Sequence, residues 1–220
     1  MTTERRAPER RAPLDRTRVA ETALALLNDV GLDGLTLRAI AKELDVKAPA
    51  LYWHFKDKQA LLDEMATVMF RRMEAGIVLD AGDTWQDRLR GACVALRAAL
   101  LSYRDGAKVF SGSRFTGTEH AVRMEENLRF FLDAGFSLAD GVRAYTTATS
   151  YTVGFVIEEQ GVVPLPGERR EGYDVAERAL RMAEFPLAAA AGAEIFADYE
   201  RHFREGLEII VDGVAARYQR

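Results

Sequence analysis

The stretch Leu35–Lys58, LTLRAIAKELDVKAPALYWHFKDK, leaves few folds open to the chain that carries it. Thr36 is a good N-cap, and Leu37, Ile40, Ala41 and Leu44 recur at helical spacing before Asp45-Val46 breaks the pattern. A second short helix is expected from Lys47 or Ala48 through His54, with Pro49 in its first turn, where a missing N–H costs nothing. Helices of under three turns do not stand alone in water, so both must share a core with a longer neighbour. The spacing is that of a helix-turn-helix whose second helix enters a DNA major groove, although helix-loop-helix corners of ordinary bundles share it.

Longer neighbours lie on both sides. Asp15 can cap a helix in which Val19, Ala23, Leu26 and Leu27 form one stripe, Leu14 packs on Val19 as a hydrophobic staple, and Gly31 is the stop. Asp57 can cap another that carries Leu61, Leu62, Met65 and Met69 and ends near Met73. It starts so soon after the second short helix that the linkage is stiff, and its movement must move the head. Beyond a loop at 76–82, the pattern predicts a helix over 85–103, a short turn at 105–110, a loop at 111–117 and a helix over 118–132. Ser137 then caps a long helix reaching 159 or 160. A Pro/Gly-rich loop, a short helix over 175–184 and a last helix over 193–216 complete the chain.

The expected fold is therefore all-α. Residues 14–58 form a three-helix helix-turn-helix head and residues 59–220 a helical domain for ligand binding and dimerisation. Residues 1–13 repeat ERRAP twice without apolar periodicity, which makes them a flexible basic arm. A solvated tail and an arm laid against phosphate or into a minor groove are both compatible with that composition. In the last helix Phe196, Phe203, Leu207, Ile210 and Val214 recur at helical spacing. Together with the long helix before it, this is more apolar surface than one layer needs, so a homodimer is expected.

A formal charge of −4 looks wrong for a protein that meets DNA. Its distribution corrects that impression, because residues 1–58 hold 11 Lys/Arg against 9 Asp/Glu and the rest hold 19 against 25. Only the head has to face phosphate. Charge interrupts every apolar run well before membrane-spanning length, and the N-terminus has no apolar run followed by a cleavage site, so a cytoplasmic protein is expected. Cys93 is the only cysteine and reads as a small buried hydrophobe. His54, His120 and His202 are isolated, and the chain has no Gly-rich phosphate loop, GxSxG elbow or HExxH. Neither an enzyme, a metal site nor a cofactor is expected.

The motif LTLRAIAKELDVKAPALYWHFKDKQALLDEM resembles the head of the TetR family of transcriptional repressors. WQDRLR, ALLSYRDGAKV, LRFFLDAGFSLADG and TVGFVIEEQ are similar to its tetracycline-repressor branch, so the resemblance covers nearly everything after Leu14. It implies an all-helical homodimer that binds a palindromic double-stranded operator and leaves it when a small-molecule inducer enters the C-terminal domain.

Position by position, the resemblance puts Arg38, Pro49, Tyr52, Trp53, His54 and Lys58 at DNA-facing or supporting places, and Leu37, Ala48 and Ala50 where the branch reads bases. Chemically, Ala48 and Ala50 offer methyl groups to thymine methyls, Arg38 can take guanine O6 and N7, and Lys47 suits a guanine or a phosphate. The operator is therefore expected to differ from the tetracycline one. Tyr52 fits a phosphate donor or a closure of the head core, Trp53 is expected to pack under the recognition helix, and His54 is expected to donate to phosphate.

In the ligand domain the resemblance aligns Glu74 and Phe110 with drug-binding histidines, and Ala92, Leu96, Ser113, Asn127 and Glu158 with other pocket positions. A phenyl ring cannot ligate a metal, so no magnesium requirement is expected. What remains is an apolar pocket lined by Leu96 and Phe110 with Met124 nearby, and with Ser113 and Asn127 as hydrogen-bonding points. Thr147, Tyr151, Gly154 and Glu158 fall at successive turns of the later helix. For Thr147 and Tyr151 both pocket lining and satisfied core fit; for Glu158 a dimer or solvent role fits equally. The reading as a whole is a ligand-responsive repressor, with an activator or a constitutive DNA binder lacking an inducer as its competitor.

Overall fold

A computed structural model describes residues 14–77, 80 and 82–218, so the expected arm at 1–13 lies outside the described residues. Among the described residues eleven helices follow one another: α1 Arg16–Gly34, α2 Leu37–Glu43, α3 Ala48–Tyr52, α4 Lys58–Ala75, α5 Trp85–Leu101, α6 Gly106–Phe110, α7 Glu119–Asp133, α8 Leu138–Val162, α9 Val175–Arg181, α10 Pro186–Phe196 and α11 Tyr199–Tyr218. No strand occurs among the described residues. The all-α expectation holds.

Short polar side chains set the starts of several of these helices. Asp15 accepts from Arg18 N at 2.8 Å, Thr36 from Ala39 N at 3.1 Å, Asp57 from Ala60 N at 2.8 Å and Ser137 from Asp140 N at 3.2 Å. Thr84 and Asp87 make a full capping box at α5.

Several boundaries differ from the sequence expectation: α5 ends at Leu101 and not 103, α8 runs on to Val162 and α9 stops at Arg181 and not 184, and three further differences concern α1, α3 and α11. Gly31 takes φ 67°, a left-handed conformation that suits glycine, yet helical structure resumes to Gly34, so it kinks α1 rather than ending it. Helix α3 ends at Tyr52 instead of His54. The last helix begins at Tyr199 and not near 193, because α10 precedes it and the backbone leaves helical geometry at Ala197. Pro186 sits at the start of α10, whose run PLAAAAGAEIF is apolar nearly all round and offers no periodicity to read. Phe196 belongs to that helix and not to the α11 stripe.

Two cores hold the helices. The first joins Val19, Leu24 and Leu27 of α1, Ile40 of α2, Leu51 of α3 and Leu61, Met65 and Met69 of α4 to Leu96, Leu100, Ala107, Val109 and Val156. The second packs Trp85, Leu89 and Cys93 of α5 against Phe131, Phe136, Ala144, Ala148 and the Phe203, Leu207, Val211 and Val214 face of α11. Each fully buried Leu, Met or Phe side chain contributes roughly 1.5–3 kcal/mol, so the head is bound to the body by the same apolar contacts that form it. Cys93 is fully buried as expected; burial pushes its thiol up to about 11 against an opposing hydrogen bond with Thr152.

Polar bolts fix the turn between α5 and α6. Gln160, buried at the end of α8, accepts from Ala107 N at 3.1 Å and donates to Tyr103 O at 2.7 Å and Leu100 O at 3.3 Å. Arg104 N and Nε donate to Asn28 Oδ1 and O, each at 2.9 Å, and Asp105 Oδ2 accepts from Leu32 N at 3.0 Å. The kinked end of α1 is thereby seated on the start of α6. Deeper in the body, Arg97 makes paired bonds of 2.9 and 2.8 Å to Glu159 and also bonds Glu200, so neither buried charge is left alone.

Candidate nucleic-acid interface and cavity

In the head, Ile40, Ala41, Leu44, Leu51 and Phe55 turn inward and the polar side chains between them turn out. Asp45 at φ 53° makes the tight corner from α2 to α3. Arg38, Lys47 and Pro49 are exposed, Ala48, Ala50 and His54 half-buried. Tyr52 is 56% exposed, which favours an outward hydroxyl over closure of the core. Trp53 is 91% exposed, so the expectation that it packs under α3 is corrected. Leu51 and Phe55 already fill that space, and Trp53 stands between them on the opposite side of the turn. Lys58 Nζ donates to Leu32 O at 2.8 Å across the end of α1, and an ammonium has two further protons to offer a phosphate.

In the body, α4, α5, α7 and α8 with the end of α6 line a half-open cavity of about 780 Å³. Its floor is small and apolar: Gly91, Ala92, Ala95 and Leu96 of α5 and Val153, Gly154 and Ile157 of α8. Aromatic rings form one wall, with Phe115 centred 4.9 Å from Phe70, 5.6 Å from Phe110 and 5.0 Å from His120. Polar atoms face in from α7 and α8. Asn127 is only 7% exposed, and its Nδ2 has no hydrogen-bond partner in the protein, nor does His120 Nδ1. Arg123 pairs with Glu74 and lies 3.0 Å from Glu126, so the charges in this wall are largely matched. Burial pushes the Tyr145 phenol above its ordinary range.

Leu96, Phe110, Met124 and Asn127, expected at the pocket, all line this cavity. Ser113 does not; its hydroxyl donates to Val109 O at 2.6 Å, while Ser111 and Gly112 lie at the rim. On α8 the lining residues are Tyr145, Thr149, Ser150, Val153, Gly154 and Ile157, so of the expected stripe only Gly154 is there. Thr147 and Glu158 are exposed. Tyr151 points the other way, stacked on Phe203 at 5.7 Å with its hydroxyl donating to Phe203 O at 3.1 Å. A Cβ on Gly206 would collide with that hydroxyl, so glycine is needed for α11 to approach so closely. Sequence reasoning missed His120, Arg123, Tyr145 and Phe115. The cue for the α7 residues was available, since His120, Arg123, Met124 and Asn127 recur at helical spacing.

Neither position that the resemblance aligns with a drug-binding histidine offers a free ligand here, although His120 brings an unpartnered Nδ1 into the wall. Phe110 presents a ring edge to Phe115 and Glu74 is taken by Arg123. Among the described residues no three His, Cys, Asp or Glu side chains converge to hold a metal.

Residues 19–65 match the family described as bacterial regulatory proteins, tetR family, and residues 79–218 the family described as tetracyclin repressor-like, C-terminal domain. The class A tetracycline repressor protein of transposon 1721 from Escherichia coli is 43% identical over 199 residues, 90% of this chain and 89% of that protein. A possible TetR family transcriptional regulator from Streptomyces coelicolor A3(2) superposes with a TM-score of 0.78 at 36% identity, covering 92% of this chain and 99% of the other. The class A repressor solved with 5a,6-anhydrotetracycline and magnesium superposes with a TM-score of 0.65 at 37% identity, covering 93% and 99%.

Proposed function

Because this chain belongs to the TetR family of bacterial regulatory proteins, we propose that it is a ligand-responsive transcriptional repressor, which binds a palindromic operator as a homodimer and leaves it when a small, largely apolar molecule fills the α4–α8 cavity. The observation that carries this reading is the cavity itself. Its wall includes Phe110, the last residue of α6, and α6 is built into the core that also holds α1, α4 and the helix-turn-helix. Packed helices shift as units, so occupancy that displaces α6 displaces the head.

The ligand this wall suits is a largely apolar molecule with an acceptor oxygen for Asn127 Nδ2. Apolar Leu138, Val142 and Ile209 are exposed on α8 and α11, which supports these two helices as the dimer face. Two heads on a symmetric dimer read half-sites about one helical turn, roughly 34 Å, apart or a multiple of it. With Ala48 and Ala50 in place of polar base readers, the operator differs from that of the tetracycline repressors.

The test uses operator duplexes selected from random DNA. The wild-type dimer binds a palindrome, and Phe110→Ala leaves operator affinity intact while raising the concentration of cavity ligand needed for release. A protein that selects no sequence, or a release curve that Phe110→Ala does not move, defeats the proposal.

A further inference from the structure

The loop at residues 111–118 joins α6 to α7 and has two faces. Phe115 turns into the cavity among Phe70, Phe110 and His120. Its neighbour Thr116 turns onto α4, where its N–H donates to Thr67 Oγ1 at 2.9 Å and its hydroxyl donates to Glu64 Oε2 at 3.0 Å. Arg114 N adds a 3.0 Å bond to Asp63 Oδ1. The cavity rim is thus pinned to one turn of α4 by three side chains.

The same carboxylate oxygen has a second partner from the head. Arg16 Nε donates to Glu64 Oε2 at 3.0 Å, and Arg16 Nη1 donates to the carbonyl of His54, just past the end of α3. The Arg16 guanidinium also lies 4.5 Å over the Phe55 ring. Glu64 is 4% exposed, so its carboxylate takes its hydrogen bonds from these partners rather than from water. The carboxylate therefore joins the rim of the cavity to the carbonyl end of the helix that faces DNA.

We propose that Glu64 is a positioning residue for α3: displacement of Phe115 by a cavity ligand pulls Thr116 from Glu64, loosens the hold of Arg16 on His54, and changes how the recognition helix is presented. The route runs through side chains from Phe115, which packs on Phe110 at the end of α6, and reaches the head by hydrogen bonds rather than by the α6 core. It rests on the reading of the cavity as the inducer site, so the test has one arm that needs no ligand.

Thr116→Val keeps the shape of the side chain and removes the donor; Thr116→Ser keeps the donor. In the full-length free protein, hydrogen exchange is followed at the His54 and Phe55 amides, which bond Leu51 O at 3.0 and 2.9 Å. Thr116→Val should speed exchange at these two amides by about fivefold, the effect of one ordinary hydrogen bond, with α1 amides such as Leu24 and Leu27 unchanged and Thr116→Ser close to wild type. No change at His54 and Phe55, or an equal change throughout the head, overturns the proposal. The second arm uses anhydrotetracycline and the anthraquinone emodin, with binding to the free protein measured by calorimetry. For a probe that binds, Thr116→Val should leave its affinity unchanged but reduce by about fivefold the ratio of operator affinities without and with the probe. An unchanged ratio contradicts the relay. A wild-type protein that binds neither probe counts against the cavity reading, and the exchange result alone then decides the relay.

Discussion

Replacing Gln160 with leucine tests how the start of α6 is held. The glutamine makes three bonds, and they are not equivalent. Tyr103 O still accepts from Gly106 N at 2.9 Å, and Leu100 O from Tyr103 N at 3.4 Å, after the amide is gone. Ala107 N–H is different. It lies at the second position of α6, before the first intrahelical donor, and its residue is fully buried. Leucine matches the volume and leaves that N–H without an acceptor, at a cost of roughly 1–3 kcal/mol, and losing the two donated bonds adds about 1 kcal/mol. The expected total is about 2–4 kcal/mol. Urea unfolding followed by circular dichroism at fixed protomer concentration reads it as a lower midpoint with an unchanged slope. A loss below about 1 kcal/mol would refute the reasoning, because it would mean that the Ala107 amide finds another acceptor in the folded state.

Arg38→Ala should cost roughly 1–3 kcal/mol on the selected operator and little on random duplex, by mobility shift at fixed salt; equal weakening on both would reduce Arg38 to a phosphate contact. Trp53→Ala should leave stability within about 0.5 kcal/mol, since the side chain is almost wholly exposed, yet weaken operator binding by about tenfold; a clear fall in the unfolding midpoint contradicts its placement. Asp105 should contribute to the acid limb of stability. Burial raises its carboxyl, but the Lys108 ammonium and the Leu32 N–H outweigh this and hold it below the ordinary range. Its contribution is therefore complete above the unfolded value of about 3.9 and lost as pH falls through the lower folded value. Urea midpoints measured from about pH 6 to about pH 3 should accordingly be less steep for Asp105→Asn than for the wild type.

Local signals were the most legible. Asp15, Thr36, Asp57 and Ser137 were read as caps and make those bonds, because a cap depends on residues within one turn of itself. Features set by distant packing were harder. Helix α8 touches α5, α6, α7 and α11, so it is apolar on several sides, and the spacing of Thr147, Tyr151 and Glu158 did not reveal which side is hollow. The cavity faces Tyr145, Thr149 and Val153 instead. Trp53 misled for a related reason: a large aromatic ring beside a helix reads as core, and only the positions of Leu51 and Phe55 show that the core is already full. Gln160 and Glu64 were invisible as bolts, since their partners lie dozens of residues away.

The central claim is that occupancy of the cavity, without a metal, moves the heads off their operator. Inverting a 99:1 population requires the ligand to favour the released state by about 5.5 kcal/mol. Fluorescence anisotropy of a labelled operator, titrated with a compound shown by calorimetry to bind the free protein, measures this directly. The account predicts that anisotropy falls to the value of free duplex as the cavity saturates, with the same curve in excess EDTA. Anisotropy that stays high at saturation, or release that EDTA abolishes and magnesium restores, would contradict it.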